Sequence, residues 1–415
     1  MSLPAVSVIV ASRHRPEALL RCLTALRLQD HPMIELVVVA DPAAARLVEG
    51  LGWALKLVPY DEPNLAAARN AGLDRAAGEV VALIDDDAVP EPGWARALAA
   101  PFADPRVDQA GGFVRGRNGI SWQWRALEVD GEGRDHPLTV TKGVSLHAGS
   151  ALRAVKTQGT NAAFRRATLI EAGGFDPAYR FFLEDADANL RLAARGGLSA
   201  VVPEGEVQHC YAESPRRRAD RAPRSLADIG ASTALFLRRH APGGVEAGLE
   251  ECRAGQWRRL VRMMVEGLIE PGDLGPLLAT LEAGIAEGRA RPLSVLMPRD
   301  GSEEPFLALG GTGPRPGLVL WGWAWQRAAL ARQARAAAEA GQIVTVIALS
   351  PGIRPHWRRF DAAGYWWQEG GLLGRSEREG PSGRGLGLRR RVEREASALP
   401  AGRPVASFCS ALSPG

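Results

Sequence analysis

Short apolar runs alternate with amphipathic stretches over the first half of the chain. Two of these stretches carry apolar residues at helical spacing, one opened by Pro16 and one over residues 64–76. Strands that alternate with helices in this way predict a mostly parallel sheet flanked by helices, whose ligands lie outside the carboxyl ends of the strands. Four apolar runs have the length and β-branched content of buried strands, at residues 6–10, 35–40, 55–58 and 80–84.

The pattern changes at a basic, proline-punctuated segment, residues 214–224. This segment is either a solvated linker, which we favour, or a lid over the site. Residues 225–291 carry apolar side chains at helical spacing and predict a helical segment. Beyond it, strands at 305–309, 317–321 and 343–349 and a helix at 325–340 predict a small α/β unit. We therefore expect three domains: 1–214, 215–291 and 292–415.

The composition is that of a chain with a large apolar core. Its 415 residues are 46% hydrophobic, and the chain is long for a single domain. It has no run of about 18 apolar residues and no leader-like start, so we expect a cytoplasmic protein with at most peripheral membrane contact. The four cysteines lack C-x-x-C spacing, which argues against a zinc site and a disulfide framework.

The net charge of +4 conceals an asymmetry between the two halves. Residues 1–214 contain 22 Lys and Arg against 27 Asp and Glu, whereas residues 215–415 contain 29 against 20. A basic second half is compatible with phosphates, nucleic acid or an anionic membrane. Only three of the 51 basic residues are Lys, however, which indicates a compositional bias of the source. We predict no nucleic-acid partner.

Three adjacent carboxylates, Asp85, Asp86 and Asp87, end the run at 80–84. Their mutual repulsion is hard to explain as fold stability and easy to explain if a cation binds there. Carboxylate oxygens suit a hard divalent ion such as Mg²⁺ or Mn²⁺. The period of an extended chain puts Asp85 and Asp87 on one side and Asp86 on the other. The alternative is an acidic surface loop.

Other polar residues follow predicted strands or begin predicted helices, and each has a structural alternative. Asp41 precedes Pro42 and suits a turn. Glu184 and Asp185 begin a helix, where carboxylates ordinarily complement the helix dipole. Arg69 on its own would be a solvated residue on a helix face, and His209 after a strand would be a surface residue.

Eight short motifs follow one another along the first half of the chain: Ser7 to Arg15, Val38 to Asp41, Ala68 to Gly72, Asp85 to Asp87, Pro90 to Trp94, Gly159 to Arg166, Gly173 to Asp176 and Glu184 to Arg191. In this order they give the chain a resemblance to the family 2 glycosyltransferases, which have the GT-A fold, over about residues 5–215. Each motif is weak and the ordered set is specific. Ala11, Arg13 and His14 depart from the family's usual Pro, Tyr and Asn in a segment that helps to hold the nucleobase.

The resemblance implies a role for each candidate residue. Asp87 and Asp85 would hold Mn²⁺ or Mg²⁺, and His209 would complete the metal site. Asp185 would be the general base, with Glu184 in support. The implied contacts with a nucleotide-sugar donor are those of Ser12, Arg15, Asp41, Arg69, Asp85 and Asp86.

The implied reaction is inverting, metal-dependent transfer of a sugar from a nucleoside-diphosphate donor, with a UDP-sugar favoured. The acceptor would be a hydroxyl of a glycan, a lipid-linked molecule or a protein, in glycan or polysaccharide assembly. The alternative is a non-catalytic nucleotide-binding or glycan-binding module that serves in assembly. The tryptophan-rich C-terminal region would then be a docking surface, and homo-oligomer formation through that region is a further option.

Overall fold

The computed structural model describes residues 3–377, 380, 383, 385 and 387–411. Its first region consists of a large sheet, a small sheet and flanking helices. The strands are β1 Val6–Ser12, β2 Ile34–Ala40, β3 Lys56–Pro59, β4 Val80–Asp85, β5 Ala88–Pro90, β6 Val107–Arg115, β7 Trp122–Trp124, β8 Leu127–Asp130, β9 Asp135–Pro137, β10 Ser145–Ala148, β11 Arg153–Val155, β12 Ala162–Arg165 and β13 Leu198–His209. The helices are α1 Pro16–Leu26, α2 Pro42–Glu49, α3 Leu65–Leu73, α4 Trp94–Ala99, α5 Arg166–Glu171 and α6 Glu184–Ala194.

Over the described residues the large sheet has ten strands, eight of them in the order β10-β13-β6-β12-β4-β1-β2-β3. Strands β4, β1, β2 and β3 run parallel, as do β6 and β13, whereas β12 is antiparallel to both of its neighbours. The short strands β5 and β7 pair with β13 and β6, and β11, β8 and β9 form the small sheet. The predicted mostly parallel sheet is confirmed.

Helices cover both faces of the large sheet, which is why its central strands are apolar throughout. Leucines of α1 and Trp94 of α4 pack on one face with Val8, Val10 and Ala82. Residues of α3, α5 and α6 pack on the other face with Ile9 and Leu83. The burial of both strand faces removes the polar-apolar alternation that a one-sided sheet would show.

The helical segment contains α7 Ala227–His240, α8 Val245–Val265 and α9 Leu274–Ala290. Helices α7 and α9 are in backbone contact, since a Cβ on Gly284 would lie 2.0 Å from the carbonyl oxygen of Ala227. The end of α7 docks on α6: His240 Nε2 lies 2.9 Å from the buried Asp187 carboxylate, and Arg239 pairs with Asp176. The helical segment is thereby fixed to the helix that begins with Glu184 and Asp185.

The connection from 291 to 316 crosses the first region in an irregular conformation. Arg299 pairs with Asp74, and the backbone N–H of Leu309 donates to Ile34. The predicted strand at 305–309 is wrong, because the structure forms a single bridge there, between Ala308 and Glu35. Strand β3 already pairs with β2 from Val37 onward and leaves only the start of that edge open.

The C-terminal region is a second, smaller sheet with the order β16-β17-β15-β14-β18. Every pairing in it is parallel except that of β16 with β17. Helices α10 and α11 pack on opposite faces, which confirms an α/β unit at this end of the chain. Its elements are β14 Gly317–Trp323, α10 Arg327–Glu339, β15 Ile343–Ser350, β16 Trp357–Asp361, β17 Tyr365–Gly371, α11 Leu388–Ser397 and β18 Ser407–Ser410.

Buried polar contacts join the two sheets. Arg403 forms a two-point ion pair with Glu91, and both side chains are buried. The side-chain amide of Gln208 donates to the carbonyl of Arg358. Across the part of the chain that the structure describes, no helix is both long enough and apolar enough to cross a bilayer.

Candidate active site

A cleft of about 470 Å³ opens at the carboxyl edge of the large sheet. Its walls come from the ends of β1, β4 and β13, from α3 and α6, and from the loop at 214–225. Asp41 and Asp86, both predicted for the site, lie outside the lining. The other eight predicted residues line it: Ser12, Arg15, Arg69, Asp85, Asp87, Glu184, Asp185 and His209.

Asp85, Asp87 and His209 form a group that could hold a metal ion. One ligand atom from each lies within 4.8 Å of the others. Asp87 Oδ1 is 3.2 Å from His209 Nε2, and Asp87 Oδ2 accepts from the backbone N–H of Ala212 at 2.7 Å. Burial raises the pKa of Asp87, but the bond to His209 and the charge of Arg15 outweigh it and hold that pKa below its ordinary value. The carboxylate is therefore kept charged.

The imidazole of His209 supports the fit of a metal. Its Nδ1 lies 3.2 Å from Gln123 Oε1, so both ring nitrogens face oxygen acceptors. A neutral imidazole has one N–H. If Nδ1 donates to Gln123, the lone pair of Nε2 points toward the Asp87 carboxylate. A cation between Nε2 and that carboxylate would then be bound by both groups. Two carboxylates and one imidazole are an acceptable donor set for Mn²⁺ and a less suitable one for Mg²⁺.

Asp86 lies outside the cleft lining and binds two residues that line the cleft, Ser12 and Arg15. The Ser12 hydroxyl donates to Asp86 Oδ2 at 2.7 Å, and an Arg15 nitrogen lies 2.5 Å from Oδ1. Burial raises the pKa of Asp86 to about 7, with Arg15 acting in the opposite direction and Asp87 adding to the rise. The predicted division of the three carboxylates agrees with this geometry, since Asp85 and Asp87 reach the cleft and Asp86 does not.

Arg69 connects the metal-ligand group to the start of α6. Its Nη1 donates to Glu184 Oε1 at 2.7 Å, and its Nη2 lies 3.4 Å from Asp85 Oδ1. Arg69 is only 4% exposed, so the alternative of a solvated residue is wrong. Burial raises the pKa of Glu184 to about 7; Arg69 opposes the rise and Asp185 adds to it.

Asp185 faces the cleft from the first turn of α6. Phe182 and Leu183 just before it have φ values of 74° and 66°. Such left-handed conformations are costly for bulky residues, and strain of this kind concentrates at functional sites. The turn directs Asp185 toward the cleft, where Oδ2 accepts from the backbone N–H of Gly159 at 2.9 Å.

Asp41 has a structural role, but as the N-cap of a helix and not as the turn residue given as its alternative. It caps α2 by accepting from the N–H groups of Ala43 and Ala44, at 3.0 and 3.3 Å. Its second oxygen accepts from the N–H of His14 at 2.8 Å. It therefore shapes the loop beside the cleft, and direct contact of Asp41 or Asp86 with a donor stays a prediction.

Several residues in the cleft lining, and one that contacts it, were not predicted from the sequence. The segment at 214–224 folds against the cleft, with Arg216 and Arg217 in its lining, so the favoured solvated-linker interpretation is wrong. Arg259 reaches the cleft from α8, and Gln123 orients His209. The run of arginines at 216–218 was the available signal for the loop; no sequence pattern pointed to Arg259 or Gln123.

Residues 7–169 match the family described as Glycosyl transferase family 2. This segment is a family 2 glycosyltransferase domain, as the order of its motifs predicts.

The chain is also similar to individual glycosyltransferases. It is 27% identical over 215 residues to the pre-mycofactocin glycosyltransferase of Mycobacterium tuberculosis, covering 49% of this chain and 42% of that protein. It is 35% identical over 103 residues to the N-acetylglucosaminyl-diphospho-decaprenol L-rhamnosyltransferase of the same species, covering 25% of this chain and 29% of that protein. The chain thus spans less than half the length of either relative.

Among solved structures, the chain is similar to the mannosyltransferase PcManGT from Pyrobaculum calidifontis in complex with GDP-Man and Mn²⁺. The TM-score is 0.41 at 19% identity, and the match covers 69% of this chain and 87% of that one.

Proposed function

We propose that the protein is an inverting, metal-dependent glycosyltransferase that moves a sugar from a nucleoside-diphosphate donor to an acceptor hydroxyl. One observation carries the proposal: the metal-ligand group of Asp85, Asp87 and His209 lines the same cleft as the half-buried carboxylate of Asp185. A leaving diphosphate and an incoming hydroxyl need these two kinds of group on the same cleft.

The donor would lie along the ends of β1 and β4. A divalent cation held by Asp85, Asp87 and His209 would neutralise charge on the departing diphosphate. Ser12 and Arg15, held in place by Asp86, would form the floor under the nucleotide. A UDP-sugar is the donor that we propose first, with Mn²⁺ as the metal.

Arg69 would fix the distance between the proposed metal site and the start of α6, where the proposed base lies. It bonds Glu184 on the α6 side and Asp85 on the metal side. Because Glu184 is bound to Arg69, it would act as a positioning residue beside the base and would not itself take the proton.

Asp185 would take the proton from the acceptor hydroxyl. It is the less buried of the two carboxylates at the start of α6, and the N–H of Gly159 orients its Oδ2. Attack from the Asp185 side, opposite the leaving group, is a single displacement, and a single displacement inverts the anomeric carbon.

The acceptor would enter over Phe181 and Phe182, which line the cleft next to Asp185. Aromatic side chains at such a position suit the apolar face of a sugar. The name of the rhamnosyltransferase relative makes a lipid-linked, phosphate-bearing glycan one acceptor class to test first.

The test is sugar release and transfer from a panel of nucleotide sugars, with Mn²⁺ and with EDTA. Turnover is expected only with the metal. Asp185→Asn should lower turnover about 100-fold to 10,000-fold, the range for a general base, while the affinity for UDP stays within about twofold. Glu171→Gln, a change to an exposed carboxylate on α5, is the matched control. Equal donor binding in EDTA, or full turnover in Asp185→Asn, would reject the proposal.

A further inference from the structure

Three arginines meet beside the metal-ligand group. Arg217 Nη2 lies 3.5 Å from Asp87 Oδ2, and Arg217 and Arg259 both line the cleft. The Arg221 guanidinium stacks on Tyr211, 4.4 Å from the ring centre. We refer to Arg217, Arg221 and Arg259 as the arginine cluster.

Two members of the arginine cluster, Arg221 and Arg259, hold positive charge that no carboxylate in the described part of the chain neutralises, whereas Arg217 lies beside Asp87. Its nearby neighbour Arg216 has a carboxylate partner, Asp228, at 2.6 Å. Within the residues that the structure describes, Arg221 and Arg259 form no ion pair with a carboxylate, and Arg259 bonds only the neutral Gln256. Burial lowers the pKa of Arg259, and the charges of Arg221 and Arg217 lower it further. Like charges held this close are costly unless an anion joins them.

The protein holds this arrangement in place through the backbone of the loop. Ser214 and Pro223 both bridge to Arg217. Arg117 donates to the carbonyl of Ala219 at 2.7 Å. Arg221 itself has a φ of 76°, in the left-handed region. A loop that is tied at several points presents its guanidinium groups already placed, which lowers the entropic cost of binding a ligand.

The geometry selects the chemical class of the anion. A guanidinium presents a planar fork of N–H donors that matches two oxygens of a phosphate. Because Arg217 is within 3.5 Å of a candidate metal ligand, an anion on this cluster would also lie beside the cation. A phosphoryl group, with several oxygens, is able to contact both.

We propose that Arg217, Arg221 and Arg259 form a phosphate-binding subsite built jointly by the loop at 214–225 and by α8. Both elements lie beyond the family-matched residues 7–169. The identity of the substrate that carries the phosphate rests on the proposed function. It is either the diphosphate of the donor or a phosphate on the acceptor.

The test is calorimetric titration of pyrophosphate with Mn²⁺ into the full-length protein and into Arg217→Gln and Arg259→Gln. Loss of one charge-assisted contact should weaken binding about tenfold in each variant. The dependence of affinity on salt should also become shallower. Arg258→Gln, on an exposed neighbour in the same helix, is the matched control and should stay within about twofold, as surface charges do. Thermal melting verifies that each variant is folded.

Two further titrations distinguish the sources of the phosphate. If the donor supplies it, UDP affinity falls together with pyrophosphate affinity. If the acceptor supplies it, UDP affinity is unchanged, and a prenyl monophosphate in detergent binds the variants about tenfold more weakly. The subsite is rejected if folded variants bind pyrophosphate, UDP and prenyl monophosphate as the wild type does.

The outcome is separable from that of the proposed function. If the wild type binds pyrophosphate through these arginines but never releases or transfers sugar, the proposed subsite is supported and the proposed enzymatic function is rejected. If the variants transfer sugar fully and bind phosphate ligands as the wild type does, the enzymatic function is supported and the subsite is rejected.

Discussion

The large N-terminal sheet and the small C-terminal sheet share an architecture and differ in what lies at their carboxyl edges. Both are mainly parallel, with helices on both faces. The carboxyl end of β4 presents Asp85 and leads to Asp87 at the cleft. The carboxyl end of β14 presents Trp323, stacked on Trp325 with ring centres 4.9 Å apart.

The two sheets also use their buried charges differently. In the N-terminal sheet, charged groups such as Asp87 and Arg69 face the cleft. In the C-terminal region, Glu395 of α11 and Arg403 before β18 are buried in contacts that hold the protein together: Arg403 pairs with Glu91 across the two regions, and Glu395 accepts from Gln368. All four side chains are buried, so the two regions differ in whether the buried charges border a cleft or are paired inside the protein. This difference can be tested by changing matched residues in the two regions.

The largest effect is expected from Asp87→Ala. Removal of a proposed metal ligand should abolish metal-dependent UDP binding and lower turnover by at least about 100-fold, because loss of even an outer-shell partner of a metal ordinarily costs about 10-fold to 100-fold. Calorimetry with and without Mn²⁺ measures the binding. Glu369→Ala, at the carboxyl-terminal part of β17, is the matched control and should leave UDP binding unchanged. Retained metal dependence in Asp87→Ala would contradict the assigned site.

Arg403→Ala should have the largest effect on stability. It leaves the buried Glu91 without its partner, and the loss of one member of a buried pair costs about 3–5 kcal/mol. Urea unfolding measures this cost. The double variant Arg403→Ala, Glu91→Ala should recover part of the loss, because no buried charge then remains unpaired. A cost below about 1 kcal/mol, typical of surface pairs, would show that the sheets are joined by other contacts.

A pH effect is expected from Glu184 in the metal-free protein. Its pKa is raised to about 7 in the folded state, so the folded form binds the proton more tightly than the unfolded form. The contribution to stability is complete below the unfolded value and is lost as pH rises through about 7. A loss on the order of 2–3 kcal/mol between pH 4.5 and pH 7.5 is expected from Glu184.

The measurement is urea unfolding in EDTA across this pH range. Glu184→Gln should show a correspondingly weaker pH dependence than the wild type, whereas Glu369→Gln in the C-terminal region should match the wild type. Identical pH profiles for the wild type and Glu184→Gln would contradict the burial of a protonatable group at this position.

The smallest effect is expected from Trp325→Ala. Trp325 is 67% exposed at the carboxyl edge of the C-terminal sheet, so stability should change by less than about 1 kcal/mol. Turnover should stay within about twofold, because Trp325 is not among the described residues that line the cleft. A large rise in the KM for the acceptor would instead assign a substrate-binding role to the second sheet.

Much of the fold was predictable because it depends on local patterns. The strand predicted at residues 6–10 is present and continues to Ser12, and the helix predicted from Pro16 is present as α1. Helix α2 was missed, because Pro42 was taken as a turn residue when it is the first residue of a helix capped by Asp41. Strand β18 was missed as well, since it pairs with β14 across a long separation in sequence.

In the candidate site, too, the residues that depend on local patterns were predictable and those that depend on long-range contacts were not. The side chains at the ends of strands were predictable, because parallel strands bring their carboxyl ends to one edge. Asp85 and Asp87 are of this kind. Arg259 was not predictable, because its approach to the cleft depends on how α8 packs against α7 and on how α7 docks on α6. The burial of Arg69 between Glu184 and Asp85 likewise depends on a long-range contact, which no local pattern contains.

The sequence by itself determined the order of strands and helices, the acidic end of β4 and the family of the first domain, because apolar periodicity and short motifs are local properties. Only the tertiary structure decided that Asp86 supports the floor from below, that the 214–225 loop lines the cleft and that α8 contributes a cation to it. Those features depend on burial and on distances between residues far apart in the chain, and these are set when the packed regions meet.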